Sequence, residues 1–158
     1  TSLMLFAKVK EHVANIVESC LRYDLQLSIA LIDLDFFKQV NDKYGHLIGD
    51  QILCKFSDFL LSRVRKADMV TRYGGEEFLI ILGETNTTDA LLITERIRQA
   101  ISELKFERDN DRFSLTMSFG VSCSDNILHK KTEETLLLEA DSALYHAKND
   151  GRNRVCIA

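Results

Sequence analysis

Residues 72–78 read Arg72-Tyr73-Gly74-Gly75-Glu76-Glu77-Phe78, RYGGEEF, and the apolar run Leu79-Ile80-Ile81-Leu82 follows at once. A Gly-Gly pair between two strand-like segments, 69–73 and 78–82, predicts a β-hairpin. Two carboxylates at its tip suit either a solvated turn or a metal site. Which of the two holds depends on what the fold brings beside the hairpin.

Upstream, residues 28–34, SIALIDL, are a short apolar run ending in acids and read as a buried strand. Before them Leu3, Phe6, Val9, Val13, Ile16, Val17, Cys20 and Leu21 recur at steps of three and four, an amphipathic helix over about 3–22. Phe36, Phe37, Val40 and Tyr44 predict a short helix stopping at Gly45. Gly49-Asp50 reads as the N-cap of a longer helix with Ile52, Leu53, Phe56, Phe59, Leu60 and Val64 on one face.

Downstream, Leu92, Ile93, Ile97 and Ile101 mark a helix over 88–103. Residues 113–121 alternate, with Phe113, Leu115, Met117, Phe119 and Val121 facing in and Ser114, Thr116, Ser118 and Gly120 facing out, which predicts a half-buried strand. A helix over 133–148 and a short strand over 154–157 close the chain, and 106–112 and 123–132 read as irregular. This order is a ferredoxin-like α+β pattern with additions: one domain over 1–158, its mostly antiparallel five-stranded sheet flanked by helices. If the second hairpin strand pairs with 28–34, the end of that strand, with Asp33 and Asp35, meets Glu76 and Glu77. Asp33 and Glu76, 43 residues apart, then share one small volume.

The chain has 158 residues, 46% hydrophobic and 28% charged, with a net charge of −4. That balance argues against a DNA or RNA partner, which calls for a basic face. No apolar run approaches 18 residues, so nothing spans a membrane and no membrane contact is expected of this domain. The start, TSLMLFAKVK, lacks a signal-peptide pattern. Cys20, Cys54, Cys123 and Cys156 form no CxxC pair and read as reduced, mostly buried thiols of a cytoplasmic protein. The four histidines, His12, His46, His129 and His146, show no metal-ligand spacing.

Clustered carboxylates repel unless a cation or proton joins them. Oxygen ligands without His or Cys favour Mg²⁺ or Mn²⁺ over zinc. The turn Phe36-Phe37-Lys38 can present backbone N–H groups to an anion at a helix start, and Lys38 adds a charge. Far along the chain, Lys148 and Arg152 stand in AKNDGRN, where Gly151 can end a helix and turn both cations toward one point. Acids, a metal and convergent cations describe nucleotidyl or phosphoryl transfer.

Residues 33–50, DLDFFKQVNDKYGHLIGD, together with RYGGEEF and ALYHAKNDGRNR, resemble the GGDEF domain of diguanylate cyclases in its GGEEF variant, over about 28–158. The resemblance implies an enzyme that joins two GTP into cyclic di-GMP, releasing two pyrophosphates, on the palm-type fold of nucleotide cyclases. Asp33 and Glu76 would hold Mg²⁺ or Mn²⁺, helped by the backbone carbonyl of Leu34. Glu77 would complete the catalytic acids, as a further ligand or by activating the 3′-hydroxyl. The Phe36 and Phe37 amides, Lys38, Lys148 and Arg152 would take the β- and γ-phosphates. Asn41 and Asp50 would read guanine, and a carboxylate that accepts N1–H and N2–H is left unpaired by adenine. A plain helix N-cap is the other role open to Asp50.

The resemblance also matches Arg65-Lys66-Ala67-Asp68 to an inhibitory RxxD motif that binds cyclic di-GMP, with Arg96 as a secondary contact. One chain carries one site and the product is a two-fold dimer, so a homodimer is the expected catalytic unit. The family's sensor region is not expected in this chain, and an N-terminal membrane anchor of a full-length protein is left open. TSLMLF lacks the Asn and Arg of the family's opening DxLTGLxNR motif. The competing readings are a module that binds GTP or cyclic di-GMP without turnover, and a structural domain that binds no nucleotide.

Overall fold

The computed structural model describes residues 2–124 and 131–158. Helix α1 (Ser2–Arg22) leads into strand β1 (Leu27–Leu34), then α2 (Phe37–Tyr44) and α3 (His46–Arg63). The hairpin β2 (Met69–Arg72) and β3 (Glu77–Gly83) follows, and α4 (Thr87–Ser102) crosses to β4 (Phe106–Arg108) and β5 (Asp111–Phe113). The chain ends with β6 (Met117–Cys123), α5 (Glu133–Asn149) and β7 (Val155–Ile157).

The main sheet runs β2-β3-β1-β6-β7. Strand β1 is central and antiparallel to both neighbours, and β7 joins the edge parallel to β6. The four strands β2-β3-β1-β6 thus have the ferredoxin-like order expected from the sequence, with β7 as the addition. Alternate residues of β1 enter two separate cores. Ala30, Ile32 and Leu34 pack with Phe37, Val40, Ile52, Phe56, Leu60 and Ile97, on the side of α2, α3 and α4. Leu27, Ile29 and Leu31 pack with Val13, Val17, Leu136, Ala140 and Leu144, between the sheet and α1 with α5. At roughly 1.5–3 kcal/mol for each fully buried Leu, Ile or Phe, this two-sided burial fixes β1 in register, because a one-residue slip would exchange the two sets.

Several local expectations are corrected. Helix α3 begins at His46, not at Gly49-Asp50. Gly45, at φ 88, ends α2 by donating to the Asn41 carbonyl at 2.8 Å, and the next helix starts at the following residue. Asp50 therefore lies inside α3 and caps nothing. The predicted half-buried strand over 113–121 is two strands, and all seven residues of β6 are buried. Ser118 and Gly120 are covered because α5 lies on their face, and a Cβ on Gly120 would stand 2.1 Å from the Ala140 carbonyl oxygen.

The stretch 106–112, read as irregular, is the β4–β5 hairpin. Its turn residues Asp109 and Asn110 both adopt positive φ, 51 and 66, the twist that two-residue hairpin turns require. The hairpin is seated by stacking of Phe113 on Tyr44 (5.0 Å between centroids) and on Phe106 (5.6 Å). Residues 125–130 of the second irregular stretch lie outside the described residues. All four cysteines are free thiols, but only Cys123 is buried, and Cys54 is exposed on α3. Leu92 is likewise exposed on α4. No described helix is long and apolar enough to cross a membrane.

Candidate active site

The register places Asp33, one residue before the end of β1, directly opposite Glu77 at the start of β3. Residues 77, 79 and 81 of β3 share one face of the sheet, and Leu79 and Ile81 belong to the core under α1 and α5. Asp33 and Glu77 continue that face past the last apolar layer, so both carboxylates emerge where the core stops. Asp33 is 5% exposed. The Lys148 ammonium, from the last turn of α5, donates to Asp33 Oδ2. Asp33 Oδ1 is buried and meets no donor.

Glu76 is pushed above the usual carboxylate range, first by burial and then by the neighbouring Asp33 carboxylate, with Lys148 opposing. Glu77 is raised too, again mainly by burial and then by Asp33, with Lys148 opposing. Three acids thus crowd one volume with one ammonium among them.

The Gly-Gly turn owes its shape to hydrogen bonds. Tyr73 N–H donates to the Glu77 carbonyl at 2.8 Å, and Arg72 Nε donates to the Gly75 carbonyl at 2.9 Å. Neither Gly74 nor Gly75 adopts positive φ. What they supply is room: a Cβ on Gly75 would meet nothing within 4 Å, and one on Gly74 would stand 3.1 Å from Glu77 Oε2.

A cleft of about 410 Å³ opens beneath this turn, lined by Asp33, Phe37, Asn41, Asp50, Glu76 and Glu77 among others. Asn41 and Asp50, predicted base readers from two different helices, therefore share the cleft with the acids. Asn41 Oδ1 is buried without a hydrogen-bond partner. Gly49 makes its position possible, since a Cβ there would stand 1.9 Å from that oxygen. Phe37 reaches the cleft from the core, at 5% exposure, so its contribution to an anion is its backbone. Leu34 is buried at the strand end, and Lys38 is exposed on α2.

The turn after β1 also meets the end of α5. Phe36 is in the left-handed region (φ 57), exposed, with the Arg152 guanidinium 4.6 Å from its ring centroid. Lys148 and Arg152 thus arrive at residues 33 and 36. Asp35, to which the motifs assign no role, holds this junction. It is 4% exposed and accepts from Thr116 Oγ1 (2.6 Å), Ser118 Oγ (2.6 Å) and the Asn153 backbone N–H (3.0 Å). The sequence places it with Asp33 among the acids meeting the hairpin, but it does not line the cleft, because its carboxylate is taken up by partners 81 to 118 residues away.

The residues fit a hard divalent cation: an orphaned buried carboxylate oxygen, two further acids raised by burial and then by Asp33, and oxygen donors throughout. Among the described residues no group of three or more His, Cys, Asp or Glu forms a ready-made cage.

The inhibitory candidates lie apart from the cleft's lining. Arg65 and Asp68 are closed on each other, Nη2 to Oδ1 at 2.9 Å and Nε to Oδ2 at 3.0 Å. Asp68 also accepts from the Arg65 backbone N–H at 2.9 Å, and its side chain is 1% exposed. Arg65 Nη2 further reaches the Gly83 carbonyl at 2.7 Å and Thr85 Oγ1 at 2.9 Å. Arg96 is exposed on α4.

The model of the family "Diguanylate cyclase, GGDEF domain" matches residues 4–154, and the chain belongs to that family. The match takes in most of α1. The chain is 39% identical over 153 residues to Diguanylate cyclase A of Treponema denticola, covering 97% of this chain and 40% of that protein. It therefore spans about two fifths of the length of that curated relative.

Among solved structures, the fold is similar to the GGDEF domain of DgcB from Caulobacter crescentus in complex with c-di-GMP (TM-score 0.86, 26% identity, 94% of this chain and 87% of that one). It is also similar to the active GGEEF domain of a diguanylate cyclase from Vibrio cholerae (TM-score 0.83, 34% identity, 96% of this chain and 94% of that one).

Proposed function

We propose that the chain is a single catalytic domain, over residues 1–158, that condenses two GTP into cyclic di-GMP and two pyrophosphates. The observation that carries this reading is the shared cleft: Asp33, Glu76 and Glu77 on one wall, Asn41 and Asp50 on the other. The family membership and the similarity to relatives named as diguanylate cyclases support the same activity.

In this reading Asp33, the Leu34 carbonyl and Glu76 hold Mg²⁺ or Mn²⁺, which would neutralise charge developing on the leaving pyrophosphate. Asp50 accepts from guanine N1–H and N2–H, and Asn41 pairs beside it. The Phe36 and Phe37 amides with Lys38, Lys148 and Arg152 orient the β- and γ-phosphates. Glu77, made more basic by burial, accepts the 3′-hydroxyl proton. The 3′-oxygen then forms a bond to the α-phosphorus of the other GTP as the bond from that phosphorus to the α–β bridging oxygen breaks. Two such steps close the ring, so two domains face each other across a two-fold axis. Cyclic di-GMP bound at Arg65, Asp68 and Arg96 inhibits the cycle. The reaction belongs to the cytoplasm, where GTP is available.

Incubating the purified chain with GTP and Mg²⁺ and resolving the nucleotides by chromatography tests this reading. Cyclic di-GMP from the wild type, and none from Glu77→Gln, is the expected result. GTP that binds and is never converted would instead favour a receptor module.

A further inference from the structure

We propose that Arg98 is a positioning residue for the phosphate end of this nucleotide site, acting through Asn153 on Arg152. The inference rests on the reading that Arg152 meets GTP phosphates.

Arg98 lies on α4, and its side chain is 17% exposed. Two arms of its guanidinium are fixed by Glu95, Nε to Oε2 at 2.9 Å and Nη2 to Oε1 at 2.6 Å. The third, Nη1, donates to Asn153 Oδ1 at 2.7 Å. From the other side, the backbone N–H of Asn153 donates to buried Asp35 at 3.0 Å. Asn153 is therefore gripped twice, by its side chain from α4 and by its backbone from the end of β1.

The grip matters because of the backbone it holds. Arg152 and Asn153 adopt consecutive left-handed conformations, φ 63 and 45. This is costly for Arg152 and less so for Asn153, and it persists where surrounding contacts over-determine it. The contacts on this loop include the Asn153 clamp, the Arg152 N–H to the Ala147 carbonyl (2.9 Å), the Arg154 Nε to the Arg152 carbonyl (3.1 Å), and the Phe119 N–H to the Arg154 carbonyl (2.9 Å). Together they aim Arg152 back across the loop, to the Phe36 ring at the mouth of the turn after β1. Removing the clamp frees Asn153 to relax, and Arg152 moves with it. Arg98 itself spends its guanidinium on Glu95 and Asn153, so its influence on a nucleotide passes through the loop.

Binding of 3′-deoxy-GTP, which lacks the attacking hydroxyl and cannot be condensed, separates this role from chemistry. GMP, which lacks the outer phosphates, is the control. Arg98→Ala is expected to weaken 3′-deoxy-GTP binding by on the order of tenfold, the scale of one lost hydrogen bond to a charged group, and to leave GMP binding unchanged. Asn153→Ala should show the same selective loss, the double variant should lose no more than either single one, and Arg98→Lys should recover part of it. Unchanged 3′-deoxy-GTP affinity in Arg98→Ala overturns the proposal, as do equal losses for both nucleotides or additive losses in the double variant. A wild-type chain that binds neither nucleotide removes the underlying reading of the site as well.

Discussion

Asp33 on β1 and Glu77 on β3 are register partners, facing each other across the ladder at the rim of the sheet. Like charges placed opposite each other destabilise a strand pair. The sheet tolerates them here because the apolar layers behind them are dense and Lys148 stands beside Asp33.

This crowding gives a pH dependence with a defined sign. Glu76 and Glu77 are both raised in the folded protein, mainly by burial and then by Asp33. Each holds its proton more firmly folded than unfolded. Stability is therefore greatest when both are protonated and falls as pH rises through their raised values. In the metal-free protein, Glu76→Gln should melt higher than wild type near neutral pH, with the advantage vanishing toward about pH 4, where the free carboxyl is itself protonated. Thermal denaturation in a chelator across that range checks this, and an offset independent of pH would contradict it.

Base selectivity should respond to two neighbouring positions in different ways. Asp50 caps no helix, so Asp50→Ser is expected to leave the melting temperature nearly unchanged while relaxing the preference for GTP over ATP. Gly49→Ala drives a Cβ into Asn41 Oδ1 and should weaken binding of guanine nucleotides by displacing that side chain. Competition binding with GTP and ATP distinguishes the two, and unchanged selectivity in Asp50→Ser would remove its base-reading role.

Arg65→Ala should relieve product inhibition while leaving the initial rate nearly intact. It should also lower stability by roughly 1 kcal/mol, because Asp68 keeps only backbone donors from Arg65 and Gly83. An unaltered inhibition curve, measured with added cyclic di-GMP, would separate the RxxD pair from regulation and leave it a tie between α3 and the end of β3.

Gly120→Ala tests the fold itself. Its Cβ would stand 2.1 Å from the Ala140 carbonyl and 2.3 Å from the Leu144 nitrogen, both backbone atoms. Helix α5 cannot yield there without moving Lys148. A loss of at least about 3 kcal/mol is expected, the upper end for an overpacked core. Chemical denaturation measures it.

Much of this architecture is visible in the residues. The Gly-Gly pair between apolar runs reveals the hairpin, and the acids after SIALIDL reveal which strand end meets it. The failures have two causes: some positions depend on partners distant in sequence, and others sit at turns that lack the usual local signal. Ser118 and Gly120 look solvent-facing until α5 is laid over them. Asp109-Asn110 looks like loop because its turn lacks glycine, and a three-residue strand on each side is too short for a period to register. Helix α3 begins early because Gly45 serves as the end of one helix and the threshold of the next, with no side-chain cap to announce it. Arg98 lies outside the quoted motifs, and Asp35 and Asn153 lie within them without an assigned role; what the three do appears only when β1, α4 and the loop after α5 are seen together.

The two-sided burial of β1 has a dynamic corollary. Its amides sit between two cores and two hydrogen-bonded neighbours, so their hydrogen exchange should require opening of the whole domain. The turn at Gly74-Gly75 is held by a few partly exposed bonds and can exchange by local opening. Asp33 and Glu76 are then expected to exchange at different rates, as parts of a slow wall and a fast flap. Loading the site is then chiefly a matter of where the flap comes to rest against a wall that hardly moves.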